Sequence, residues 1–343
     1  MSLAVRSVDF RRYVEMLGHF SSEDVSLYHG AAWLESVRQG FGAAVWGALV
    51  ESSGGEPLAL MPVMEVGKGP FRLRGSPLRG MYTEFAGPLF APELGEGERG
   101  EVLSVLHGGL GGGRVIYMEW GMEGGRASDV AASILGGLGY VYVPRATLEV
   151  DLVPGKEAVW ATFESRARNM VRKAEKHGVS VKSITPGSED VRLYYSMLTE
   201  TFRRQGKEAP HPLSFFQAMC QLLRADDELR FYLAEKEGRI VGGAIFLHDR
   251  HRMVYLSGTS NEEGAKLAAN SLVQWVAIQD AVEAGIRLYD LGGVGNERID
   301  RFKASFGGRP FKHHRWVRKS GVVSMLEPVY RFMAAKGWVR LHG

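Results

Sequence analysis

Two stretches of the chain repeat one pattern, and that pattern limits what the chain can fold into. VWGALVESSGGEPLALMPVMEV (45–66) and RFYLAEKEGRIVGGAIFLHDR (230–250) each read as a strand, a Gly-containing turn and a second strand. Helical patterns precede both. Self-similarity on this scale predicts a duplicated αβ module. The chain has room for two, since 343 residues exceed a single domain at roughly 100–200 residues each.

The remaining pattern alternates helices and strands, which predicts α/β layers with mixed sheets. In the first half, Tyr28–Phe41, Pro92–Leu110 and Arg126–Leu138 read as helices, and Arg114–Trp120 and Tyr140–Asp151 as strands. In the second half, Lys156–His177 reads as one or two helices, and Ser188–Arg204 and Pro212–Arg224 as further helices. Arg252–Gly258 and Arg287–Leu291 read as strands with the helix Lys266–Ala284 between them, and Arg298–Phe306 as a short helix. The expected modules are 1–149 and 150–318. An amphipathic C-terminal helix within 319–343, with Val323, Leu326, Tyr330 and Met333 on one face, is expected to pack on the first.

Composition removes several classes. The apolar run Leu58–Met64, interrupted by Pro62, is far shorter than the roughly 20 residues of a membrane span. The N-terminus reaches Asp9 before a long apolar core forms, unlike a secretory signal. The single cysteine, Cys220, excludes an internal disulfide and a cysteine-based zinc site. A soluble, cytoplasmic protein is the expectation. Net charge is +3 but uneven, at −5 over residues 1–150 and +8 over the rest. Such asymmetry fits a second half that meets a polyanion, or simply an uneven solvated surface.

Two segments concentrate chemistry. In WATFESRARNMVRKAEK (160–176), Phe163, Ala167, Met170 and Ala174 form an apolar stripe. Arg168, Arg172 and Lys176 recur at four-residue spacing on another face, and Arg166 and Lys173 widen it. Like charges at that spacing oppose the helix unless a polyanion offsets them. The alternative is long side chains lying over apolar surface. In RLYDLGGVGNERIDRFKASFGG (287–308), a strand ends in Tyr289-Asp290-Leu291-Gly292-Gly293, and Arg301-Phe302-Lys303 follows on a short helix. Ligands in open α/β sheets favour loops at the carboxyl ends of strands.

The YDxGG–RFKxxFG combination resembles the FemABX family of peptidoglycan-bridge aminoacyltransferases and their GNAT-like relatives. SRARNMVRKAEKHGVSV, TFRRQG (201–206) and MVYLSGTS (253–260) are similar to stretches of that family. LYHGAAWLESV, ALMPVM and Ala86-Gly87-Pro88 fit its opening module. The resemblance implies two tandem GNAT-like modules and N-acyl transfer to an amine of a larger, phosphate-bearing acceptor. By the same resemblance Lys303 falls on a catalytic lysine that offsets negative charge, with Phe302 beside it. Tyr255 falls on a substrate-binding tyrosine. Arg204, or else Arg203, falls on an arginine that holds the acceptor's diphosphate, a task its planar donors suit. Asp290 either orients a donor or the amine, or caps the glycine turn. The donor is expected to be an aminoacyl-tRNA or an acyl-CoA. The acceptor is expected to be a nucleotide-sugar or another cell-envelope precursor.

Three departures narrow this. The basic residue expected near the first-module tryptophan is replaced by Val37, with Arg38 adjacent. No acid directly follows Gly87-Pro88, so no general base is assigned. Asn261-Glu262-Glu263-Gly264-Ala265-Lys266 matches the CoA-pyrophosphate loop of GNAT enzymes poorly. HGGLGGG (107–113) lacks the Lys-Ser/Thr of a phosphate loop and reads as a turn. His313-His314 and the His248–His251 pair lack further ligands for a metal, so neither metal nor resident cofactor is expected. Two alternatives stand beside the aminoacyl reading: an acyl-CoA-dependent GNAT-type enzyme similar to polysaccharide-associated CelD-type proteins, and a non-catalytic RNA- or polyanion-binding protein.

Overall fold

A computed structural model describes residues 3–124, 126–225, 227–321 and 323. The expected C-terminal helix within 319–343 lies almost wholly outside these. The chain divides into two compact units, residues 1–145 with 312–343, and 146–311.

The first unit opens with β1 (Ala4–Val8), α1 (Phe10–Leu17) and α2 (Ala31–Phe41). There follow β2 (Ala44–Glu51), β3 (Pro57–Lys68), β4 (Phe71–Ser76), β5 (Leu89–Phe90), α3 (Glu96–Leu110), β6 (Val115–Glu123) and α4 (Arg126–Gly137). The chain leaves this unit within β7 (Val141–Asp151). The second unit holds α5 (Lys156–Thr162), α6 (Ser165–Lys176), β8 (Ser180–Ile184), α7 (Ser188–Arg203) and α8 (Leu213–Leu222). Then come β9 (Leu229–Lys236), β10 (Arg239–His248), β11 (Arg252–Ser260), α9 (Glu262–Lys266), α10 (Ala269–Glu283), β12 (Leu288–Gly293) and α11 (Glu297–Ala304). The chain returns to the first unit within β13 (Arg309–Lys319).

Within each unit the strands follow one another in matching order. The first runs β1-β2-β3-β4-β6-β13, with β5 added beside β3. The second runs β8-β9-β10-β11-β12-β7. In each, only the fourth and fifth strands pair in parallel, β4 with β6 and β11 with β12. A helix-containing crossover joins each parallel pair, as parallel pairing requires. The repeat predicted from the hairpins is therefore a repeat of topology.

Each unit also has a separate core. Trp120, Tyr140, Trp316, Leu103 and Leu106 anchor the first. Phe163, Tyr232, Phe246, Tyr289 and Phe306 anchor the second, where α6 and α10 cover one sheet face. The stripe expected on α6 needs one revision. Ala167 and Ala174 are buried with Phe163, but Val171 rather than Met170 completes the stripe. The Lys156–His177 region breaks into two helices at Phe163, whose ψ of 143° is extended. The Glu164 N–H instead donates to the Ser305 carbonyl at 2.8 Å.

Candidate active-site cleft

The second unit opens where its parallel strands part. β11 and β12 pair only from Arg252 with Leu288 to Val254 with Asp290. Both strands then continue, to Ser260 and Gly293. A bulge in the β10–β11 ladder, where Phe246 faces Tyr255 and Ile245 faces Ser257, bends β11 at that point. Backbone must approach closely here. A Cβ on Gly258 would overlap the Tyr255 hydroxyl. A Cβ on Gly292, at φ +79°, would lie 3.0 Å from the Tyr255 carbonyl oxygen and 3.4 Å from Lys303 Nζ.

A cleft of about 960 Å³ lies there. One wall carries Thr201, Arg204, Thr259 and Ser260. Thr201 Oγ1 and Thr259 Oγ1 are 2.9 Å apart, and Arg204 Nη2 donates to the Ser260 carbonyl at 3.0 Å. The other wall comes from α6, with Arg166 and Met170, and from α11, with Arg298, Ile299, Arg301 and Phe302. Asn296 starts α11 by accepting from the Arg298 and Ile299 N–H groups, each at 3.2 Å. The start of α10, at Ala268, Asn270 and Ser271, also faces the cleft. Four arginines and no aspartate or glutamate line it.

Of the residues expected from sequence, Arg204, Tyr255 and Phe302 meet in this cleft. Phe302 packs edge-on against Phe306 at 5.1 Å. Lys303 is not a lining residue. It is buried at the strand ends beside the cleft, and its Nζ donates to the Gly293 carbonyl at 2.7 Å. Asp290 is buried and accepts from the Gly292 N–H at 2.7 Å, with Arg252 Nη1 3.9 Å away. It holds the glycine turn rather than lining the cleft. Arg203 turns outward to pair with Glu200 at 2.8 Å.

The basic strip on α6 also divides. Arg168 donates to the Phe163 carbonyl and so caps the end of α5. The Arg172 guanidinium lies 5.7 Å from the Trp160 ring centroid. Lys176 is exposed. None of the three lines the cleft; the basic residue of α6 that does is Arg166. Sequence reasoning noted Arg166 only as widening the strip and missed Arg298. The one available signal was the four-residue offset between Arg166 and Met170, which places both on one helical face.

Other candidates resolve structurally. Burial pushes the Cys220 thiol up to about 12, so it is not a ready nucleophile. No group of His, Cys, Asp and Glu residues able to hold a metal occurs among the described residues. No helix among them is long and apolar enough to cross a membrane.

Comparison with known proteins agrees with this geometry. Residues 161–313 match the family described as acetyltransferase (GNAT) domain, a span that contains the whole cleft. The crystal structure of FemX superposes with a TM-score of 0.69 at 14% identity, covering 95% of this chain and 100% of that one. The chain has the tandem GNAT fold of FemX. A tandem GNAT protein from the clavulanic acid biosynthesis pathway shares that fold, with a TM-score of 0.56 at 12% identity over 93% of this chain and 99% of the other. In sequence, the chain is 28% identical over 159 residues to the UDP-N-acetylmuramoylpentapeptide-lysine N(6)-alanyltransferase of Weissella viridescens. That alignment spans 46% of each protein, less than half the length of the relative. The FemABX likeness thus rests on fold along the chain and on sequence over about half of it.

Proposed function

We propose that the protein is an acyltransferase that moves an aminoacyl group from an activated ester to an amine on a phosphate-bearing, cell-envelope-type acceptor. The observation that carries this reading is the acid-free cleft at the splayed strands, where Arg204, Tyr255 and Phe302 converge within the GNAT-matching span. The similarity to an alanyltransferase of a nucleotide-linked pentapeptide supports the acceptor class. In this scheme a neutral amine attacks the ester carbonyl. The C–N bond forms, the C–O bond breaks, and the departing oxygen takes a proton. Negative charge develops on the carbonyl oxygen, and a fixed cation in a dry setting stabilises it more in the transition state than before. Lys303 supplies that positive charge from its buried place behind Gly292 and Gly293, beside the cleft rather than on its lining. Arg204 holds acceptor phosphate, and Tyr255 packs against the bound substrate. Such a reaction suits the cytoplasm, where charged tRNA and nucleotide-linked precursors occur.

The family description favours a second donor, acetyl-CoA. Two features weigh against it. Asn261 caps α9 by accepting from the Gly264 N–H at 2.8 Å, which uses an amide that a pyrophosphate would need. Glu262 and Glu263 add negative charge in the first turn of the same helix. The test is direct. The protein is incubated with alanyl-tRNA or with acetyl-CoA and a nucleotide-linked amine acceptor, and the acceptor is weighed by mass spectrometry. A mass increase of one alanyl residue is expected. Acetyl transfer alone would move the assignment to the CoA reading, and no transfer from either donor would remove both.

A further inference from the structure

The positive charge of the cleft is not confined to Arg204 at the end of α7 but extends to α6 and α11. Arg166 enters from α6 and Arg298 from α11, so two separate helices bring guanidinium groups to one surface. Neither has an ion-pair partner among the described residues. Arg301, beside them, is paired only with exposed Glu297 at 3.3 Å. Both Arg166 and Arg298 are exposed, so they present their charge to the cleft with no carboxylate on its lining to compete with an arriving anion. Arg204 is held differently. Two bonds from its Nη2, to Thr201 Oγ1 and the Ser260 carbonyl, fix it on the opposite wall.

We infer that Arg166 and Arg298 form a second anion subsite, which holds the phosphates of the acyl donor while Arg204 serves the acceptor. The inference rests on the transfer reading above, because that reaction must bring two substrates into one cleft. Activated acyl groups travel on two carriers that share a chemistry, a phosphate next to a terminal adenosine. One is the 3′ end of tRNA and the other is CoA. Guanidinium groups meet phosphate oxygens bidentately, so two arginines on separate helices fix both the position and the direction of such an arm. Ile299, 46% exposed between Arg298 and Arg301, offers apolar surface beside the charges.

The test compares Arg166→Gln/Arg298→Gln with Arg204→Gln, using deacylated tRNA, CoA and UDP as separate probes in binding titrations at several salt concentrations. Losing a charged hydrogen-bonding partner costs roughly tenfold in affinity per arginine. The double variant is therefore expected to weaken one of the two adenosine-ended probes by roughly a hundredfold. Its salt slope should fall by about 1.4 if the probe is single-stranded RNA, at 0.7 per phosphate. UDP binding should change little in the double variant and fall in Arg204→Gln. Loss of tRNA binding names the RNA end as the occupant, and loss of CoA binding names the thioester carrier. A double variant that binds both carriers like the parent overturns the subsite, as does a parent protein that binds neither. Transfer by the parent protein is measured alongside. Normal transfer with an unaffected double variant removes the subsite alone, whereas no transfer with tRNA binding still lost removes the reaction and leaves the anion site.

Discussion

The two units share a strand order, yet the cavities beside their parallel pairs differ in size, about 320 Å³ at the end of β6 and about 960 Å³ between β11 and β12. In the first, β4 and β6 stay paired from Arg72 with Val115 to Ser76 with Trp120. The segment that follows packs closely on these strands. The Ser76 hydroxyl donates to the Ala86 carbonyl, and a Cβ on Gly121 would lie 2.8 Å from Pro77 Cδ and 3.2 Å from the Glu84 carbonyl oxygen. In the second unit the pairing stops at Val254 with Asp290, and the cleft occupies the gap. Topology is common to both, and the larger cleft accompanies the shorter parallel ladder. A duplicated fold can keep one copy as scaffold and give the other a substrate cleft.

Each unit carries a buried carboxylate on its second parallel strand, and these differ in the same direction. Glu119 is fully buried, 2.9 Å from Arg315 Nε, and accepts from the Tyr117 hydroxyl at 2.6 Å. Asp290 bonds a turn amide and has Arg252 at 3.9 Å. Removing one partner of a buried pair costs about 3–5 kcal/mol because the other charge is stranded. Glu119→Ala is therefore expected to lose about that much stability in urea titrations. Asp290→Ala should lose less, since Arg252 keeps Glu149 at 3.1 Å. Equal losses would erase the distinction between a structural carboxylate and a turn-holding one.

The second expectation concerns pH and the first unit. His29 is buried, with Nε2 3.0 Å from the Gly87 carbonyl oxygen and Nδ1 2.9 Å from the Ser26 hydroxyl. Burial pushes its pKa down to about 4, and the contact with Gly87 offsets this only in part. The unfolded chain binds that proton near pH 6.5. Folding therefore favours the neutral ring. Its contribution is full above pH 6.5 and is lost as pH falls towards 4, amounting to about 3 kcal/mol. Stability profiles of the parent and His29→Asn should converge over that window. Parallel profiles from pH 7 to pH 4 would show that His29 is not buried as a neutral ring.

The third concerns the second unit. Lys303→Met keeps most of the side-chain volume and removes the charge. Turnover is expected to fall roughly a hundredfold or more, with substrate affinity changing less. The thermal midpoint is a necessary control, because Lys303 also donates to the Gly293 carbonyl. Near-normal turnover in a stable variant would sink the catalytic assignment.

Much of this frame is legible in the sequence. The hairpin repeat, the YDxGG strand end and the short RFK helix all appear where local pattern places them. β1 and α1 do not. AVRSV is a mostly exposed strand without clean alternation, and α1 spans only eight residues. The choice between Arg203 and Arg204 was also out of reach. Neighbours on a helix point about 100° apart, and only the fold shows that Arg203 meets Glu200 while Arg204 reaches Ser260. In sequence Arg166 only widens the basic strip of α6, and Arg298 carries no signal. That both line one cleft depends on how α6 and α11 are placed in the fold, a non-local arrangement that no window of sequence records.

The smallest expected effect separates the outer face of α6 from its cleft face. Arg172 lies over Trp160, which itself packs against Phe163 at 5.3 Å and Trp275 at 4.7 Å. A cation over an aromatic face at an exposed site contributes about 0.5–1 kcal/mol. Arg172→Gln should lose about that much stability, measured by urea unfolding. Lys176→Gln should lose nothing measurable, because this exposed lysine in the last turn has no ion-pair partner among the described residues and its favourable dipole interaction is screened by salt. Both variants should leave the salt dependence of tRNA binding close to that of the parent, in contrast to Arg166→Gln. A fall in salt slope for Arg172→Gln or Lys176→Gln equal to that for Arg166→Gln would extend the anion surface around the helix. The basic strip would then be a second polyanion contact, and the cleft wall would no longer be the sole place on α6 where phosphate binds.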